Sequence, residues 1–79
     1  MADIKKLYIE LIQDYDPYID IQEHDNISNY AMLYNLLNLQ KDFKCLVDFS
    51  NYEKSSIDLL NRCNSLIDIF QALGIKANL

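Results

Sequence analysis

His24 is the one histidine of the chain, and its neighbours Glu23 and Asp25 are the residue types that a metal site or a general base would use. A zinc site needs further nitrogen or sulfur ligands, and a general base needs a nucleophile or a substrate proton within reach. The residues around His24 supply neither, so a solvated loop histidine is expected. Asp16, Asp20 and Glu23 place three carboxylates in one short stretch. Without the glycine and regular ligand alternation of an EF-hand they do not make a calcium loop. Cys45 and Cys63 lie eighteen positions apart and lack the CxxC spacing of zinc and redox sites. Arg62 projects about 100° round a helix from Cys63, so no cation is placed to lower that thiol, and both cysteines are expected as buried free thiols. No catalytic, cofactor or metal site emerges, and the chain is not expected to be an enzyme.

The distribution of charge is more distinctive. From Leu7 through Gln40 there is no Lys or Arg, yet Glu10, Asp14, Asp16, Asp20, Glu23 and Asp25 all fall there, so one end of the molecule is expected to be negative. With a net charge of -5 and a pI near 4.5, long-range attraction to DNA, RNA or an anionic membrane is disfavoured, and a protein with a basic surface is the natural partner. Six tyrosines accompany these acids. Tyr8, Tyr15, Tyr30 and Tyr34 sit within helical patterns and are expected at the core edge with hydroxyls reaching water. Tyr18 and Tyr52 fall in breaks and are better placed for an interface. The candidate partner-binding residues are therefore Asp14, Tyr15, Asp16, Tyr18, Ile19, Asp20, Ile21, Glu23 and Tyr52.

The elements that must position these residues are helices. Ile4, Leu7, Tyr8, Leu11, Ile12 and Tyr15 form an i, i+3, i+4, i+7 stripe, which predicts a helix over about 3–15 with Asp3 as its N-cap. Pro17 disfavours helical backbone at Asp16 and ends that helix. Residues 16–26 read as a loop with room for one helical turn. A second helix is predicted over about 28–49, capped by Asp25, Asn26 or Ser28, with the polar run Asn38 to Asp42 as a candidate break. Its apolar residues occupy more than one stripe, which places it between the other two helices. Ser50-x-x-Glu53 and Ser55-x-x-Asp58 both have the capping-box pattern for a third helix over about 52–73. Its seam is Leu59, Cys63, Leu66, Phe70 and Leu73, widened by Leu60 and Ile67. Gly74 suits the left-handed residue beyond it, with Ile75 packing back on Phe70 in a Schellman motif. The fold class is all-α: one domain over 1–79, a small three-helix bundle with antiparallel neighbours, or four helices if the loop adds a short one.

Ile9, Ile19, Ile21, Met32, Ile57 and Ile69 fall off these stripes. They point either to a core wider than these stripes or to an exposed patch covered by a partner or a second copy; the second is preferred, so a homodimer is expected. Met1-Ala2-Asp3 lacks the charged-then-apolar layout of a signal peptide, and no apolar run approaches the roughly 20 residues that cross a bilayer, so the expected location is the cytoplasm. The Asp-Ser-Leu attachment site of acyl carrier proteins is absent; the nearest string, Asn64-Ser65-Leu66, lies mid-helix. The reading is a small acidic interaction module acting as an inhibitor, an immunity or antitoxin-like regulator, or an assembly chaperone. The alternatives are an acidic nucleic-acid mimic that blocks a DNA- or RNA-binding protein, and a self-assembling structural subunit.

Overall fold

The computed structural model describes residues 3–49 and 54–77. Three α-helices account for most of them: α1 (Ile4–Tyr15), α2 (Asn29–Phe49) and α3 (Lys54–Ala72), with a 3-10 turn at Ile21–His24 between α1 and α2. The helix ends follow from local chemistry. Asp3 accepts the Lys6 N–H at 3.3 Å and starts α1. Asp16, extended ahead of Pro17, ends α1 by donating its own N–H to the Ile12 carbonyl at 2.8 Å. Of the three candidate caps for α2, Ser28 serves: its Oγ accepts the Ala31 N–H at 3.1 Å. At the end of α3, Gly74 at φ 77 lets Ile75 donate to the Phe70 carbonyl and Gly74 to the Gln71 carbonyl, both at 3.0 Å. That is the predicted Schellman motif.

Two boundary expectations change. The polar run Asn38 to Asp42 does not break α2, which is continuous from Asn29 to Phe49. It contains neither glycine nor proline; Gln40 Nε2 donates to Asn64 Oδ1 on α3 at 2.6 Å, and Asn38, Lys41 and Asp42 are exposed to solvent. Ser55 lies inside α3 rather than capping it, while Ser50, Tyr52 and Glu53 lie outside the described residues.

The central helix is α3, not α2, because α3 packs against both α1 and α2. Helix α2 runs antiparallel to α3: Leu33 and Leu37 lie by Gln71 and Ile75, whereas Gln40, further along α2, meets the earlier Asn64. Helix α1 is antiparallel to α3 as well, with Ile4 near Leu73 and Asp14 on Arg62. The first two helices are consequently parallel to each other. They meet through long side chains, Tyr8 with Asn35 at one level and Tyr15 edge-on to Phe43 at the next. Parallel helices joined in sequence require a return connection, here about 18 Å for the length of α1. Residues 16–28 are that crossover.

The crossover also accounts for the apolar surplus. It brings Ile19 and Ile27 onto the bundle, where they pack against the core with Ile9 and Ile69, and Met32 is itself buried. Ile21 and Ile57 are half-buried. Four of the six off-stripe residues, Ile9, Ile19, Met32 and Ile69, therefore belong to a wider core. Within α3 the predicted seam is the buried face except at its last residue. Cys63, Leu66, Ile67 and Phe70 are buried, and Leu73 is 59% exposed.

Candidate protein-binding surface

Helices α1 and α2 meet through long side chains, and the two halves of the cleft between them differ. Near the start of α1 the crossover lies across it. Near the ends of both helices it is open, and the hollow there is lined by Tyr15, Asp42, Cys45, Leu46 and Phe49. Phe49 is 86% exposed, and Tyr15 and Leu46 are also exposed. The four α2 residues share one face by i, i+3, i+4, i+7 spacing, a face distinct from the one that buries Leu36 and Phe43. Asp42 lines the hollow, and exposed Asp16 and Asp48 adjoin Tyr15 and Phe49 in sequence, while exposed Lys41 and Lys44 adjoin Asp42 and Cys45, so the charge around it is mixed.

Only part of the sequence-predicted site gathers here. Tyr15 lines the hollow, its ring edge-on to Phe43 with centroids 5.0 Å apart. Tyr18 follows it and is 96% exposed. Asp14 is turned away to Arg62, whose Nη1 donates to its Oδ2 at 2.8 Å and reaches Asp58 at 3.4 Å. These hydrogen bonds, Asp14 first, hold the Arg62 guanidinium above its ordinary pKa. Asp16 and Asp20 cap the crossover, accepting the N–H groups of Tyr18 at 3.1 Å and Gln22 at 3.0 Å. Ile19 and Ile21 are half-buried, and Glu23 is exposed in the 3-10 turn. Tyr52 lies outside the described residues. The six acids are thus divided, Glu10 and Asp14 beside Arg62 of α3 and the other four in the crossover. Sequence reasoning missed Asp42, Cys45, Leu46 and Phe49; the second stripe on α2 is the signal that finds them.

The polar chemistry inside the fold centres on Tyr8. It is fully buried, contrary to the expected core edge, and burial raises its phenol pKa although the hydrogen bond from Asn35 works the other way. Its hydroxyl lies 3.0 Å from His24 Nδ1 and accepts from Asn35 Nδ2 at 3.0 Å. His24 is accordingly half-buried and bonded, not a solvated loop residue, because the crossover folds back onto α1. Tyr30 and Tyr34 are exposed on α2. Of the two cysteines, Cys45 is exposed, contrary to expectation, and Cys63 is buried. The Cys63 thiol donates to the Leu36 carbonyl at 3.2 Å, and burial pushes its pKa from 9.0 up to about 11. Such a thiol is a core group rather than a nucleophile.

Comparison with known proteins adds no relative: no family model matches the chain, and no curated protein or solved structure matches it significantly. Among the described residues, no helix is long and apolar enough to cross a membrane.

Proposed function

We propose that this chain is a small, non-enzymatic protein-binding module. The open end of the α1/α2 cleft takes an apolar side chain from a basic amphipathic segment of another protein, and the module acts as an inhibitor, an immunity or antitoxin-like regulator, or an assembly chaperone. The observation that carries the reading is the exposed Tyr15, Leu46 and Phe49 cluster with Asp42 in its wall. Large exposed apolar groups bordered by charge are the pattern of a docking surface, and aromatic anchors dominate binding energy there. Asp42 in the wall gives a cationic group on the partner a counter-charge, and the net charge of -5 on the chain favours a basic partner over a second copy. Ile9, Ile19 and Ile69, partly buried against the core, give less support to a dimer. Nucleic-acid mimicry draws less support, since Asp14 is paired and Asp16 and Asp20 cap backbone.

The test is binding of a designed Leu/Lys amphipathic helical peptide, followed by fluorescence anisotropy at low and high salt. Phe49→Glu should weaken binding by about tenfold or more, and salt should weaken it further. Equal binding by the wild type and Phe49→Glu overturns the proposed surface. A dimer seen by light scattering and lost in Phe49→Glu would transfer the surface to self-assembly.

A further inference from the structure

We infer that His24 is a proton-operated latch holding the crossover, residues 16–28, across the covered half of the α1/α2 cleft. Tyr8 is fully buried, so its hydroxyl hydrogen as well as its oxygen must find a partner inside the fold. Asn35 Nδ2 donates to that oxygen at 3.0 Å and cannot accept in return. The remaining neighbour is His24 Nδ1 at 3.0 Å. Tyr8 therefore donates to Nδ1, which fixes His24 as the neutral tautomer with its hydrogen on Nε2. An imidazolium carries hydrogen on both nitrogens and accepts nothing. It can keep the contact only as a donor, which strands the Tyr8 hydrogen in the core without an acceptor.

The latch matters because little else holds the strap. Among the described residues, the side chains of Asp16 and Asp20 bond within the crossover and Ser28 caps α2. His24 makes the one other side-chain hydrogen bond from the crossover to the helices. The apolar hold is Ile19 and Ile27, both half-buried. The groups facing His24 are Tyr8 from α1 and, through it, the neutral Asn35 on α2; Glu23 and Asp25 flank it in sequence, and Asp25 lines a hollow with Asp3, Lys5, Lys6 and Glu10. Protonation releases the strap while the α2–α3 and α1–α3 packing remains. Lengthening of the apolar cleft is the consequence for binding, and only that consequence rests on the proposed function.

Amide hydrogen exchange by NMR, corrected for intrinsic rates, tests the latch on the free protein at about pH 7.5 and about pH 5. Amides of the crossover should lose about tenfold or more protection on acidification relative to those of α3. In His24→Gln, which cannot ionise, that strap-specific change should vanish. Long-range nitrogen–proton correlation spectra should show the Nε2–H tautomer at neutral pH. Strap protection independent of pH, an unchanged response in His24→Gln, or an Nδ1–H tautomer each overturns the inference. Because no partner is present, failure of the latch and failure of the proposed binding surface are separately visible.

Discussion

Ile67 and Leu73 exchange importance between the heptad pattern and the folded chain, and that reversal can be measured. The pattern puts Leu73 on the seam and Ile67 beside it; the fold leaves Ile67 4% exposed and Leu73 59% exposed. Ile67→Ala removes buried methyl and methylene groups at the centre of the helix that touches both others. Its cost should be about 2–5 kcal/mol, transfer and cavity contributions together. Leu73→Ala strips a side chain that already lies largely in water, so the cost should stay below about 1 kcal/mol. A domain of this size has a total stability of only about 4–12 kcal/mol. Ile67→Ala should therefore lower the urea midpoint severely, followed by circular dichroism, while Leu73→Ala barely moves it. A comparable loss in the two variants, or a larger one at Leu73, would refute the placement of α3.

Alkali should destabilise the protein through groups that fold as neutral acids. For Cys63 the folded-state pKa is raised, so its contribution is complete below about pH 9 and is lost as pH rises to about 11, at up to about 1.4 kcal/mol per pH unit. Tyr8, also raised, adds in the same direction at higher pH. Unfolding free energies of the wild type and Cys63→Ala between pH 8 and pH 11 should converge as pH rises, and parallel curves would contradict the buried thiol. Gly74→Ala should cost about 1 kcal/mol by urea melts, from the positive φ alone, because space is open where its Cβ would stand. Arg62→Gln should cost at most about 1 kcal/mol, an effect that disappears in high salt, since the pair it loses with Asp14 is largely exposed.

Much of the local structure was legible because it depends on neighbours in sequence. Asp3 as a cap, Pro17 as a stop and Gly74 as the left-handed residue act within a few positions, and each performs the predicted role. The arrangement of the helices was not legible, because periodicity reports which residues are apolar and not which helix they face. Apolar residues on more than one stripe of α2 pointed to a central helix; one stripe is core and another is the open face at Phe49. The Tyr8, His24 and Asn35 cluster joins positions far apart in sequence, so the acids beside His24 masked a partner that only the crossover could bring. Asp14, Asp16 and Asp20 resembled a docking surface because charge is visible in sequence, whereas hydrogen bonds to a backbone amide or a distant arginine are not. The partner-binding surface was half legible: Tyr15 and Tyr18 were named, and the α2 residues beside them were missed.

The central claim is that a cationic amphipathic segment seats at the open end of the α1/α2 cleft. The most direct measurement is amide chemical-shift mapping on the 15N-labelled protein as the designed Leu/Lys peptide is added. The account predicts shifts that saturate and cluster at Tyr15, Asp42, Cys45, Leu46 and Phe49, leaving the outer face of α3 unmoved. Shifts that track the acids of residues 10–25 without touching Phe49, or that fail to saturate, would contradict it.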